Sequence, residues 1–493
     1  MSRIATPTVL EQYFQEFRNN IIGIDQYFVS PYGLKKIIYT DWAASGRLYR
    51  PIEEKLINEF GPFVSDAHNS STALGANMFK AYQHARIAIK EHVNAGVDDV
   101  LILEGTGMTG VLDKLQRILG LKLPENFKDS IQIQKQERPI VFVSHMEHHS
   151  NHVSWLETIA DVEIIPAGEK GVFSLDNLAI LLHKYSNRVY KIASVTACSN
   201  VTGLYVPYHK VARLMHEHEG VCFVDFTCSA PYVDIDMHPE DTLAYLDAVF
   251  FSPHKFLGGP GTCGVLVFNK KLYSNSIPDR PSESIMKCLN FYGHYQYLDD
   301  IEKREDSGAP GFLQVVKTAL AIELKNKMGV KNILAREYEL AEFVFSALVG
   351  VSNLKFLAAE HSDRLGIFSF FIEDLHVDLA VKLLNDKFGI QAKAFYSSTG
   401  IYGRFLLHNQ NSQLCEPDPL ASKGMIGSLG WIRISIHPTM TIEEISTVCD
   451  SIKLLAQEHK IWSWGYCKNE QTNEFSCKES KTVLEDLGSW FEL

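Results

Sequence analysis

Ser252-Pro253-His254-Lys255-Phe256-Leu257-Gly258-Gly259-Pro260-Gly261-Thr262 follows directly on the apolar run Ala248-Val249-Phe250-Phe251. A buried strand that ends on a lysine, followed by a glycine-rich turn, aims that lysine into a crevice. Upstream, a second apolar run, Val221-Cys222-Phe223-Val224, ends on Asp225. A lysine and an aspartate at neighbouring strand ends are what pyridoxal phosphate needs. The lysine forms a Schiff base with the aldehyde, and the carboxylate keeps the pyridine nitrogen protonated. Such a pair implies an enzyme that labilises bonds at the Cα of an amino acid.

Working outward, strands and helices alternate. Strands are expected at Val100-Leu103, Ile140-Val143, Val162-Ile165, Lys191-Val195, Val221-Val224 and Ala248-Phe251, with helices near Val111-Leu119 and Val206-Glu219. That order implies an α/β fold with a mostly parallel sheet covered by helices on both faces. Helices are also expected at about 9–20 and 77–95, and a short strand at Lys36-Tyr39. A long helix is expected at Leu313-Lys327. From about 330 the order becomes helix, strand Gly366-Ile372, helix Val377-Phe388, strand Trp431-Ile436 and helix Ile442-Gln457, the pattern of a smaller α+β domain. We therefore expect an N-terminal segment, 1–40, that packs with the small domain. A large domain over 41–328, a small domain over 329–467 and a polar tail over 468–493 would follow. Trp490 and Phe491 are the tail's possible anchors.

In open α/β sheets ligands bind beyond the carboxyl ends of the strands, so the residues there carry the chemistry. After Val100-Leu103 comes Gly105-Thr106-Gly107-Met108-Thr109-Gly110, whose exposed N–H groups and hydroxyl at a helix start form a phosphate cradle. After Ile140-Val143 comes Ser144-His145-Met146-Glu147-His148-His149-Ser150-Asn151. Adjacent histidines on an extended chain point to opposite sides, so no shared metal is expected; one imidazole stacked on a flat ring and able to move protons fits better. After Lys191-Val195 comes Thr196-Ala197-Cys198-Ser199-Asn200, which places Asn200 to donate to a ring oxygen. Taken singly, each has a bland explanation: a glycine turn, a surface histidine, a helix-capping aspartate, a solvated lysine. Five suitable residues at five strand ends in register are much harder to explain that way.

The bulk composition agrees with an ordinary globular protein. The chain has 493 residues, 46% hydrophobic and 22% charged, and a net charge of −12. It lacks the basic surplus of a nucleic-acid binder, and its charge is spread rather than blocked. The nine cysteines (Cys198, Cys222, Cys228, Cys263, Cys288, Cys415, Cys449, Cys467, Cys477) show no CxxC spacing, and several fall in apolar runs, as buried thiols do in a reducing compartment. The first residues hold no apolar signal core and no stretch is long enough to span a bilayer, so a cytoplasmic location is expected.

These motifs resemble the class V aminotransferase family of fold-type I pyridoxal-phosphate enzymes, and most closely its cysteine desulfurase and selenocysteine lyase branch, over about residues 36–458. The resemblance implies a mostly parallel seven-stranded sheet, bound pyridoxal 5′-phosphate, an amino-acid substrate and a homodimer with shared active sites. It implies that Ala43 and Ala44, in Asp41-Trp42-Ala43-Ala44, line the substrate site. Thr106 and Gly107, with Ser252 and His254, would hold the phosphate. His148 would stack on the ring, Asn200 lie near the ring hydroxyl and substrate, Asp225 partner the pyridine nitrogen and Lys255 form the Schiff base. Arg433, in Gly430-Trp431-Ile432-Arg433, would grip the substrate α-carboxylate, as a planar guanidinium does well. His148, Asp225 and Lys255 are thus the expected catalytic residues.

The departures bear on the reaction. Relatives of this branch read roughly G-I-Q-A-R-G-G-C-S-C-A-G-P-Y-G on the loop that carries the nucleophilic cysteine. Here the stretch is Gly389-Ile390-Gln391-Ala392-Lys393-Ala394-Phe395-Tyr396-Ser397-Ser398-Thr399-Gly400-Ile401-Tyr402-Gly403, with Tyr396 and Ser398 at the cysteine positions. A hydroxyl cannot replace a thiolate as acceptor of sulfane sulfur. Cys415, on a nearby polar loop, shows no sign of activation. The family's glutamine beside the ring is Cys228 here, its Gly-Thr-Pro turn is Gly308-Ala309-Pro310, and a glycine-rich stretch after Pro281 reads Ser282-Glu283-Ser284-Ile285-Met286-Lys287. The expected reaction is a C–S or C–Se lyase-type elimination without a loop cysteine. The alternatives are transamination or decarboxylation of another amino acid, or a degenerate cofactor binder without turnover. A further rival is a nicotinamide-binding enzyme, given the glycine-rich turn Gly105-Thr106-Gly107.

Overall fold

The computed structural model describes residues 8–65, 71–289, 295–396, 400–410, 430–469, 471–472, 474–479 and 487–492. Ser397, Ser398 and Cys415 lie outside them.

Strands β1 (Asp99–Glu104), β2 (Ile140–Ser144), β3 (Asp161–Ile165), β4 (Lys191–Thr196), β5 (Val221–Asp225), β6 (Ala248–Phe251) and β7 (Gly264–Asn269) form a seven-stranded sheet in the order β1-β7-β6-β5-β4-β2-β3. β2, β4 and β6 are buried along their whole length because helices cover both faces, and β6 is an unbroken apolar run. Pairings among β2 to β6 are parallel. β7 is antiparallel to both β1 and β6. The sequence reading had no strand there. Gly264 starts β7 almost directly after the glycine-rich turn, so the chain doubles back beside β6 without a crossover helix.

Helices α1 (Val9–Asn19), α2 (Ala73–His92), α3 (Met108–Ile118), α4 (His149–Leu156), α5 (Leu175–Lys184), α6 (Tyr208–Glu217) and α7 (Phe312–Met328) precede the second sheet. α2 packs along α7, and α3 lies over β7 and β6. The register aligns Thr196 with Asp225, and Asp225 with Phe250, so the carboxyl ends of β4, β5 and β6 finish level.

After α8 (Val330–Leu348), strands β8 (Leu354–Phe356), β9 (Ile367–Ile372), β10 (Lys393–Tyr396) and β11 (Gly430–Ser435) form an antiparallel sheet in the order β8-β9-β11-β10. Helices α9 (Val377–Phe388), α10 (Ile401–Gln410) and α11 (Ile442–Ser463) accompany it. α9 stops where Gly389 turns left-handed at φ 77°, a conformation that costs other residues dearly. A capping box of Thr441 and Glu444 starts α11.

The N-terminal segment is fastened to this second sheet's helices. Glu11 of α1 accepts from Arg336 of α8 at 2.7 Å, and Arg18 donates to Glu444 of α11 at 2.6 Å. Ile38–Tyr39 pairs parallel with Ile390–Gln391. The expected tail boundary at 468 falls inside a hairpin of Tyr466–Lys468 and Phe475–Cys477. Trp490 and Phe491 are 75% and 86% exposed, so neither anchors the end of the chain. No described helix is long and apolar enough to cross a membrane.

Candidate active site

Lys255 lies four residues past the end of β6, at the close of a 3-10 turn, Pro253–Lys255, rather than on the strand itself. That turn is locked from outside: Gly46 donates its N–H to the His254 carbonyl at 2.8 Å, and a Cβ on Gly46 would sit 1.9 Å from the Phe256 oxygen. The segment that follows the strand Ile38–Tyr39 is thereby held against the lysine turn at Gly46. Ala43 and Ala44 follow in that segment, and Ala43 N–H donates to Ser435 Oγ at 2.8 Å.

A cavity of about 230 Å³ opens beyond the level ends of β4, β5 and β6. Ala43, Ala44, Thr106, His148, Asn200, Asp225, Cys228, Ser252, His254, Lys255 and Arg433 all line it. Of the expected site residues, Gly107 alone is absent from the wall, being buried behind it. Gly107 has φ +92°, and a Cβ there would meet Ser252 Oγ at 2.8 Å and the His254 ring at 3.0 Å. Ser252 Oγ accepts from the N–H of Met108, the first residue of α3, at 2.8 Å. The glycine thus lets a helix N-terminus close on Ser252 and His254, the geometry of an anion cradle.

Asp225 ends β5 and is buried; one carboxylate oxygen accepts from Thr227 N–H at 2.8 Å. Burial raises its pKa, while the bonds from Thr227 and the charge of Lys255 pull the other way. A carboxylate in that state gains most from a cationic partner inside the cavity. Lys255 Nζ approaches Cys228 Sγ at 3.9 Å. His148 caps α4, its Nδ1 accepting from Ser150 N–H at 3.2 Å. Although its ring faces the open cavity, desolvation by the crevice walls, then the charges of Lys255 and Arg433, push its pKa down to about 4, so the ring is neutral at pH 7. Burial and Lys255 lower His254 as well.

Arg433, on β11, is almost wholly buried and already engaged: Nη2 donates to Asp41 Oδ1 at 2.6 Å and Nη1 to the Asn200 carbonyl at 3.1 Å. Its Nε is buried with no partner among the described residues, as is Thr227 Oγ1. Asn200 therefore holds Arg433 through its backbone.

The sequence reading missed Glu147, Lys393 and Phe395. Glu147 is buried under the site. It accepts from Ser144 Oγ at 2.5 Å, Thr196 N–H at 2.8 Å and Asn151 Nδ2 at 2.7 Å, so it clamps β2 to β4. Burial pushes its pKa up to about 8. The signal was its place between strand and helix, beside His148. Lys393 and Phe395 line the cavity from β10.

The family model for class-V aminotransferases matches residues 38–448. The chain belongs to the class-V aminotransferase family. Among curated relatives, a probable cysteine desulfurase of Staphylococcus epidermidis is 26% identical over 348 residues, covering 69% of this chain and 78% of its own. A cysteine desulfurase of Haloferax volcanii is 23% identical over 364 residues, covering 73% and 80%. Among solved structures, a cysteine desulfurase of Thermococcus onnurineus superposes with a TM-score of 0.70 at 17% identity, over 93% of this chain and 100% of that one. One from Escherichia coli gives 0.68 at 20%, over 90% and 98%. The fold is that of the fold-type I pyridoxal-phosphate enzymes, and membership of the family makes this chain a cysteine desulfurase-like, pyridoxal-phosphate-dependent enzyme. The site fits the cofactor. Among the described residues its wall combines an anion cradle, a lysine outside any ion pair, a buried carboxylate with no cation within ion-pair distance and a Thr227 hydroxyl without a hydrogen-bond partner.

Proposed function

We propose that the enzyme cleaves a C–S or C–Se bond at Cβ of a free α-amino acid, without a cysteine persulfide on the loop. The observation that supports it most is Lys255 and Asp225 opening into one cavity while the described cysteine-loop position, Tyr396, is a phenol bonded to Asp378. Lys255 would hold the cofactor's aldehyde carbon, Asp225 its ring nitrogen and His148 its face. Thr106, Gly107, Ser252 and His254 would hold its phosphate, with Cys228 and Asn200 beside its ring edge. When bound, the cofactor supplies an electron sink for charge developing at Cα. Lys255, freed once the substrate's amine takes its place, would take the Cα proton as a free amine. The Cα–H electron pair would form the Cα=Cβ bond as the leaving sulfur or selenium departs with its own bonding pair and receives the proton that Lys255 removed, so that no thiol acceptor is required. Arg433 receives the α-carboxylate while it also keeps Asp41.

The same reading assigns residues 41–328 to a large cofactor-binding domain and 329–467 to a small domain on which 1–40 pack. It takes the enzyme to be a cytoplasmic homodimer with shared active sites, which sedimentation would check. The test of the reaction is the visible spectrum of the protein reconstituted with pyridoxal phosphate, with amino acids added singly and Lys255→Ala as control. A band that depends on Lys255 and shifts with sulfur or selenium amino acids, with release of sulfide or selenide, supports the elimination. A keto acid formed without sulfide, or carbon dioxide, selects transamination or decarboxylation instead. A band indifferent to every amino acid selects a degenerate binder.

A further inference from the structure

On the cavity wall formed by β10 and β11, two cations share one aromatic ring. β10 and β11 run antiparallel with Lys393 directly opposite Arg433. Phe395, on the same strand as Lys393, lies flat against Trp431 at 5.7 Å with an interplanar angle of 7°. The Arg433 guanidinium is 4.7 Å from the centre of the Phe395 ring, and Lys393 Nζ is 5.3 Å from it. All three side chains line the cavity.

Like charges directly opposite on paired strands are destabilising. Asp41 offsets one of them, through its 2.6 Å contact with Arg433. Lys393 has no carboxylate within ion-pair distance among the described residues. Its side chain lines the same cavity as Lys255 and His148. The cavity already has a separate anion cradle at Ser252, His254 and Gly107. Lys393 is exposed on the wall of a ligand cavity, opposite a second cation and with no carboxylate partner among the described residues, so its ammonium is open to an anion carried by a ligand.

We infer that Lys393 receives an acidic group on the substrate's side chain, so that the preferred substrate is an amino acid with two acids: the α-carboxylate at Arg433 and a second anion at Lys393. This rests on the reading that the cavity takes a free amino acid with its carboxylate at Arg433. Carboxylate and tetrahedral oxyanions share the chemistry that Lys393 recognises, because an ammonium is a point charge without a planar preference.

The experiment uses the full chain reconstituted with pyridoxal phosphate. Its visible band is titrated with L-aspartate, L-glutamate and O-phospho-L-serine, and with neutral L-cysteine and L-alanine, in wild type, Lys393→Met and Lys393→Arg. Binding of succinate and of butyrate, followed by calorimetry, gives a readout that needs no reaction. A hydrogen bond to a charged group corresponds to at least about tenfold in affinity, so acidic amino acids and succinate should bind at least that much more tightly than their neutral counterparts. Lys393→Met should remove that margin and leave the neutral ligands unchanged, and Lys393→Arg should keep it. Aspartate and phosphoserine together distinguish a planar from a tetrahedral second acid. If Lys393→Met weakens acidic and neutral ligands alike, Lys393 serves the α-carboxylate and the inference is overturned. A wild-type preference for neutral amino acids overturns it alone, whereas a band that no amino acid moves overturns the amino-acid reading and this inference with it.

Discussion

At the scale of single residues, what the site demands is most visible where a side chain is missing. Gly107 holds φ +92° with the Ser252 hydroxyl and the His254 ring at the place a Cβ would occupy. Alanine there must both adopt a left-handed backbone and displace two cradle groups. Gly107→Ala is therefore expected to lose roughly 1–3 kcal/mol of stability. It should also weaken pyridoxal-phosphate retention by more than Thr106→Ala, which removes a hydroxyl and leaves the backbone cradle intact. Equilibrium dialysis of the cofactor beside urea unfolding separates the two effects; equal retention in both variants would mean that the cradle does not hold the phosphate. His148 makes a second residue-level case. Its pKa of about 4 keeps the ring neutral from pH 6 to 8, so His148 should contribute no inflection to a pH–rate profile in that range. A neutral-range inflection in wild type that His148→Asn abolishes would contradict it.

Among elements, legibility in the sequence followed burial. β5 and β6 are apolar runs closed by Asp225 and by the turn to Lys255, so both strands and their chemistry could be read directly. β7 is just as apolar, yet its antiparallel direction comes from a tight return that the glycine-rich turn does not specify uniquely. Lys393 and Phe395 escaped notice because β10 is a short edge strand whose side chains acquire meaning only opposite β11. Asp41 was read only as part of the segment that holds Ala43 and Ala44, and its bond to Arg433 joins residues far apart in the chain and leaves no local pattern. The fastening of α1 was equally illegible. Arg336 of α8 is fully buried, bonded to Glu11 at 2.7 Å, to Glu339 at 2.9 Å and to the Met440 carbonyl at 3.0 Å. Arg336→Met leaves Glu11 buried without its partner, and breaking such a pair costs about 3–5 kcal/mol. The urea midpoint should fall clearly, and Glu11→Met added to it should recover part of the loss. A double variant no better than the single one would show that packing, not the ion pair, fastens the helix.

For the whole molecule, the junction of the two sheets carries a titratable group. Glu337 of α8 is buried and accepts from Gly366 N–H at 2.9 Å, beside Leu365, whose N–H donates to the Gly203 carbonyl at 2.9 Å. Ser369 Oγ of β9 reaches the Val201 carbonyl at 2.6 Å across the same seam. Burial pushes the Glu337 pKa up to about 8 from an ordinary 4.5. The folded protein therefore keeps a proton that the unfolded chain releases once the pH exceeds about 4.5. Its contribution to stability is fully present below that pH, declines as pH rises and is gone above about 8, with a slope approaching 1.4 kcal/mol per pH unit in between. Buried His437 acts in the opposite sense. Burial holds its pKa down to about 3, so the unfolded chain gains a proton that the folded one refuses as pH falls below the ordinary value of 6.5. The wild-type curve is the sum of such terms, and a difference measurement isolates one. Glu337→Gln keeps the acceptor for Gly366 and cannot ionise. Its unfolding midpoint relative to wild type should rise steadily from pH 5 to pH 8 and level off beyond. Parallel curves across that range would mean that the seam between the sheets admits water and that Glu337 titrates there as it does in the unfolded chain.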